Sequence, residues 1–349
     1  MFKYFSDLEA FRQSVRLQHQ FDQVATTSII VFEVFVLLAV LILLPVLSKF
    51  TKRVLWKFVV LALGVLIFEF FTNPMWFNYK MGPWAYIFQD ISWILTLGWS
   101  IMILSVIVFV DRIFSSGKEW QRFGIYLVVL TGLVLFFESI VIKLGIRSYS
   151  PEVEAVCNRY FSFGPSFASL YYIPVFLSLV IGFYKYWSLL IDGKNLVPIK
   201  RRKWFQGLGL SAIAVFFFEI MVDPMAQNVG LPQWSYVYRD VSLLMTIPWI
   251  IIVWMAINFV DVKLFDKNIF VRFFGYLFFI FIFVFPIEVK WILSGHIVFS
   301  PNVQAGFSGF LIPGINLPVE VAFAIPFYYA LIVAFVKYWE ILIYNKRLQ

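Results

Sequence analysis

The stretch FFFEIMVDP, residues 216–224, carries Glu219 and Asp223 inside a run otherwise fit for lipid. An ionised carboxylate at membrane depth costs several kcal/mol unless something compensates it. Spaced i and i+4, the two acids project from one helix face. Two like charges side by side in apolar surroundings do not both ionise cheaply, which leaves an acid able to donate a proton. No Lys or Arg lies within a helical turn of Glu219, nor of Glu69 in a related stretch, FEFFTNP. Position 73 is Asn where the later stretch has Asp223, so only one of the two stretches carries the paired acids. Glu138, Glu288 and Glu320 fall at similar depth, and so does Glu33, which sits near the interface and is read as solvated. For Glu138 and Glu288, ion pairs with the nearby Lys143 and Lys290 are an equal alternative to a role in a site. Asp90 and Asp240 follow loops and are read as helix N-caps.

These acids need an apolar scaffold, and the composition supplies one. The chain of 349 residues is 62% hydrophobic and 14% charged, against about one quarter charged in soluble domains. Runs long enough to span a bilayer recur at 29–47, 54–71, 91–109, 123–144, 170–191, 208–222, 241–260, 273–293 and 319–343. The expected fold is an all-α integral membrane protein of about nine transmembrane helices. Residues 1–27 have mixed charge and suit an amphipathic segment on the membrane surface. One cysteine excludes an internal disulfide, and two histidines are too few for the histidine clusters of a di-iron enzyme. There is no GxGxxG, P-loop or GxSxG motif. Neither a metal nor a cofactor is expected.

The basic residues gather at alternate helix ends: Lys49 to Lys57, Arg112 to Arg122, Lys194 to Lys203, Lys263 to Arg272, and Lys346-Arg347. The positive-inside rule makes these ends cytoplasmic, with the N-terminus outside and the C-terminus inside a cell membrane. The net charge of +8 therefore reads as topology and contact with membrane lipid, and not as nucleic-acid binding. Lys185-Tyr186-Trp187 and Lys337-Tyr338-Trp339 fit an inner interfacial belt with snorkelling lysines.

A gap-free internal match runs at an offset of 150 residues: Phe68-Glu69 with Phe218-Glu219, Pro74-Met75 with Pro224-Met225, Trp84 with Trp234, Tyr86 with Tyr236, Asp90 with Asp240, and Glu138 with Glu288. Such a match is a duplication. Four helices per repeat, an even number, predict parallel halves about a pseudo-two-fold along the membrane normal. The expected organisation is an N-terminal segment (1–27), a first repeat (28–168), a second repeat (169–316), then a closing helix and cytoplasmic tail (317–349).

With acids on one side and Phe, Trp and Tyr making up 21% of the chain, the expected site is a carboxylate-bearing, aromatic-walled cavity. Such a site suits protonation of a C=C bond or an epoxide, with the resulting carbocation held by aromatic faces. Glu219, Asp223 and Glu69 are the candidate catalytic acids; Trp84, Tyr86, Trp234, Tyr236, Glu138, Glu288 and Glu320 are candidates for substrate contact.

The run ending in Glu219, then Asp223-Pro224, then Trp234-Ser235-Tyr236 resembles the small membrane carotenoid enzymes. These are heterodimer-type lycopene cyclases and the related bisanhydrobacterioruberin hydratase, with small transmembrane terpene cyclases as neighbours. The segment before residue 319 is also similar to the cyclase pattern of an aromatic-rich loop followed by Pro-x-Glu-Glu. Here it reads Pro318-Val319-Glu320-Val321, without the second Glu. The resemblance implies cyclisation or hydration of a hydrophobic polyene or isoprenoid substrate. A proton- or cation-coupled transporter, a lipid carrier and a non-catalytic membrane subunit are the alternatives.

Overall fold

The computed structural model describes residues 25–156, 159–193 and 204–344. Among them are nine helices long and apolar enough to cross a membrane. They are α1 (Thr27–Ser48), α2 (Val54–Thr72), α3 (Trp93–Ile113), α4 (Glu119–Lys143), α5 (Ser169–Ile191), α6 (Trp204–Val222), α7 (Leu243–Lys263), α8 (Ile269–Leu293) and α9 (Val319–Tyr344). The protein is thus a multi-pass, all-α membrane protein, and each expected span has its helix. The expected N-terminal amphipathic segment and the basic clusters after α5 and α9 lie outside the described residues. Side chains such as Leu41, Phe205, Val262 and Phe274 stand exposed on the helix surfaces, as lipid-facing residues do.

Local chemistry sets the helix ends. Pro74 and Pro224 cannot donate to the i→i−4 ladder, and the chain leaves the helix at Thr72 and Val222. Ser92 accepts a hydrogen bond from the Leu95 amide and caps α3. The residue preceding α7 is Ser242. The N-cap positions expected at Asp90 and Asp240 thus fall two residues along, where Ser92 caps with its side chain and Ser242 does not, because each Asp still belongs to a small hairpin.

These hairpins belong to the long connections at one end of the bundle, which are not plain loops. Strand β1 (Trp76–Asn78) pairs antiparallel with β4 (Arg147–Tyr149), and β2 (Tyr86–Phe88) pairs with β3 (Ile91–Ser92). Likewise β5 (Ala226–Asn228) pairs with β8 (Ile297–Phe299), and β6 (Tyr236–Tyr238) with β7 (Val241–Ser242). The registers correspond: Trp76 faces Tyr149 as Ala226 faces Phe299, and Asn78 faces Arg147 as Asn228 faces Ile297. Each two-stranded clasp ties the end of one helix to the end of another, α2 to α4 and α6 to α8. That sets Glu69 near Glu138 and Glu219 near Glu288.

Helices α5 and α9 form the centre of the bundle. Gly182 is the point of closest approach, where an added Cβ would lie 3.0 Å from the Phe335 Cα. Without a hydrophobic drive between helices in lipid, such small-residue contacts carry the packing. α9, expected to close the bundle, instead runs through its middle, with Leu331 to Ala334 fully buried. The peripheral helix is α1, which packs on α3.

At the opposite, short-turn end the snorkelling reading of the lysines is corrected. Lys337 is buried and bonds Asp261 at 2.6 Å and Glu340 at 3.1 Å. Lys185 bonds Asp111 at 2.9 Å and Glu119 at 3.0 Å. Tyr126 donates to Asp111, Tyr276 to Asp261, and Tyr338 to Glu119. Asp261, Asp111 and Glu119 reach the lysines from other helices, while Glu340 lies one turn along α9 from Lys337, so the pairing is invisible within either Lys-Tyr-Trp triplet.

Candidate functional site

Between the ends of α2, α6, α7, α8 and α9 lies a cavity of about 400 Å³. Phe70 and Phe71 of α2 form one wall; Met245 and Trp249 of α7 form a second. Phe323, Phe327, Tyr328 and Tyr329 come from the first turns of α9, and Ile297 and Phe299 from β8. The rings pack on one another across elements: Phe71 and Tyr328 have centroids 5.2 Å apart, and Phe70 and Phe327 6.3 Å. Into this apolar space project Glu219, Asp223, Glu288 and Glu320, with no Lys, Arg or His among the lining residues.

The four acids differ in their partners. Glu219 is bonded by the hydroxyl of Thr246, which also lies 3.0 Å from the carbonyl of Ser242. Glu69 and Thr96 repeat this arrangement in the first half, with the Ser92 carbonyl 3.0 Å away. Glu320 accepts from the Ser308 amide at 2.6 Å. Glu288 makes no hydrogen bond or ion pair among the described residues, so the alternative of a pair with Lys290 is not formed.

Asp223 has a basic partner. Arg239 Nε lies 3.6 Å from its Oδ2, and the Asp240 amide donates to Oδ1 at 3.2 Å. Arg239 stands far outside the helical turn around Asp223 and is brought back by the bend between β6 and β7, where its φ is 45°. Asp223 lies just past α6, and burial pushes its carboxyl up to about 6, with the Arg239 charge opposing that rise. In the first half the same positions form a neutral pair: Asn73 Nδ2 donates to Gln89 Oε1 at 2.9 Å.

The other candidate residues go elsewhere. Glu69 and Glu138 line a separate cavity of about 70 Å³ together with Trp76, Trp99, Arg147 and Tyr149. Glu138 is paired, but with Arg147 at 3.0 Å rather than with Lys143, because β4 returns Arg147 over the end of α4. Trp84 and Trp234 stand 50% and 70% exposed and line neither cavity. Tyr86 and Tyr236 are loop staples: their hydroxyls accept from the Met81 and Leu231 amides and donate to the Asn78 and Asn228 carbonyls. Glu33 is buried and accepts from the Gly82 amide at 2.7 Å, which overturns its reading as solvated. Its partner is a loop backbone, for which a sequence carries no signal.

Comparison with protein-family models, curated proteins and solved structures found no match to this chain.

Proposed function

We propose that the chain is a membrane-embedded enzyme that protonates a C=C bond or an epoxide of a polyene or isoprenoid, leading to cyclisation or hydration, with Glu219 as the acid. One observation carries the reading: a carboxyl without a basic partner among the described residues faces a cavity walled by aromatic rings. The hydrogen-bond inventory around Thr246 supports it. A threonine hydroxyl holds one proton, yet it has two acceptors in reach, the Ser242 carbonyl and Glu219. Both contacts are satisfied when Thr246 donates to Ser242 and Glu219, in its acid form, donates to Thr246.

In the reaction, the π electrons of the double bond take the Glu219 proton and form a C–H bond. The adjacent carbon becomes cationic and rests against Trp249, Tyr328 and Phe71. Cyclisation ends by loss of a proton from carbon to a carboxylate; hydration ends by addition of water and loss of its proton. Asp223, at the end of α6 and partly neutralised by Arg239, can exchange that proton with the exterior. The likeness of Glu219, Asp223-Pro224 and Trp234-Ser235-Tyr236 to the membrane carotenoid enzymes agrees with this chemistry.

The loop-rich end is assigned to the outer face, with the N-terminus outside and the C-terminus in the cytoplasm. Support comes from the basic residues at the opposite ends of the helices. The halves are read as parallel copies about an axis along the membrane normal, on the strength of the 150-residue offset and of equal helix counts.

The test has two parts. Mass spectrometry of lipids copurified with the chain should find a bound polyene or isoprenoid, and that compound should be turned over in reconstituted membranes. Full turnover by a Glu219→Gln variant would remove the acid assigned here.

A further inference from the structure

The two cavities are counterparts, and the difference between them is informative. Glu69, Trp99 and Glu138 line the small one; 150 residues on, Glu219, Trp249 and Glu288 line the large one. Trp76 and Arg147 occupy the small cavity, while the same positions of the large cavity hold Ala226 and Ile297. The Arg147 guanidinium donates to Glu138 at 3.0 Å and lies 5.4 Å from the Trp76 ring and 6.0 Å from the Trp99 ring. One half therefore contains a cation built into the chain, held by a glutamate and two indole faces. The other half keeps the glutamate and one indole but replaces the cation and the second indole with small or neutral side chains.

We infer that the large cavity binds the cationic head of an amphiphile, an alkylammonium or alkylguanidinium group, against Glu288, in the position that Arg147 occupies against Glu138. Glu288 has no hydrogen-bond or ion-pair partner among the described residues, whereas Glu138 has its arginine. The described lining residues include four carboxyls and no basic residue, and of these carboxyls Asp223 already faces Arg239 while Glu288 faces no cation among the described residues. Trp249 and Tyr328 offer ring faces to it. An apolar tail is implied by the opening. Phe323 and Phe327 line the cavity and are 62% and 39% exposed, so the cavity is open along an aromatic wall. A cation against Glu288 offsets part of the desolvation cost that an unpaired buried charge carries in full.

The inference does not rest on the proposed proton transfer, since a stable cation can bind without turnover. It is tested by equilibrium binding of radiolabelled octylguanidine to the full chain in lipid nanodiscs, with octanol and octanoate as competitors. Saturable binding of one octylguanidine per chain is expected, displaced by neither competitor. Glu288→Gln should weaken it by about tenfold or more, the usual scale for removing one partner of a buried charge pair. Ile297→Arg installs the first half's own cation and should abolish saturable binding while the melting temperature is kept. Equal affinity for octanol, or unchanged octylguanidine affinity in Glu288→Gln, would overturn the inference. If Ile297→Arg does not fold, the Glu288→Gln comparison decides by itself. Loss of turnover in Glu219→Gln with octylguanidine binding intact would separate the cation site from the acid.

Discussion

At the scale of the residue, the proposed chemistry turns on the contacts of Glu219 with Thr246 and of Thr246 with the Ser242 carbonyl. Glu219→Gln keeps shape and a hydrogen-bonding group but removes the transferable proton. Turnover of a polyene should fall by about two orders of magnitude or more, the scale for a general acid, with melting temperature nearly unchanged. Asp223 gives a prediction for pH. Its carboxyl is raised from 3.8 to about 6 by burial, so the folded state holds this proton more tightly than the unfolded chain. That contribution is complete below about pH 4 and is lost as pH rises through about 6. Relative to the wild type, Asp223→Asn should therefore gain melting temperature as pH rises across this window. The relative gain should be on the order of 1 kcal/mol after allowance for screening by solvent and Arg239. Parallel pH profiles would count against it. The unusual acids were legible in the sequence, because Glu and Asp in an apolar run need a reason. Arg239 beside Asp223 was not, because a positive-φ bend folds it back across sixteen residues.

At the scale of the element, the helices followed from apolar runs and proline stops, whereas the short strands did not. Three-residue strands such as Trp76–Asn78 have no periodicity to read, and their partners lie about seventy residues away. They nevertheless decide which acids share a cavity. The buried lysines are equally non-local. Lys337→Met removes the buried ammonium that Asp261 and Glu340 share, so it should lower stability, by about 3–5 kcal/mol at most, the scale for breaking a buried pair. Thermal unfolding in detergent checks this, and Asp261→Asn in the same chain should restore part of the loss. Where α5 meets α9, Gly182→Leu would drive side-chain atoms into the Phe335 backbone. Overpacking of this kind costs about 1–3 kcal/mol, read as a lower melting temperature.

At the scale of the whole molecule, the distinguishing property is inequality between two similar halves. The same acids recur, but Trp76 and Arg147 occupy one cavity while Ala226 and Ile297 leave the other open. Orientation sets which leaflet supplies the ligand. Cysteines placed at Lys80 and at Ser116 should label from opposite faces of the membrane, Lys80→Cys from outside and Ser116→Cys from the cytoplasm. Labelling from the reverse faces would invert the assigned topology.

The sequence by itself determined the membrane class, the positions of nine spans, the 150-residue offset and the presence of acids that lipid does not tolerate unaided. These are consequences of composition and local periodicity, which each segment carries alone. Only the tertiary structure decided that Glu219, Asp223, Glu288 and Glu320 share one cavity while Glu69 and Glu138 share another. It also decided that Trp84 and Trp234 are exposed, and that Arg147 neutralises Glu138 while Glu288 has no counterion among the described residues. The physical reason is that compensation of a buried charge depends on distance in space. For Glu138, Asp223 and Lys185 the compensating groups arrive from segments outside the helical turn that holds them.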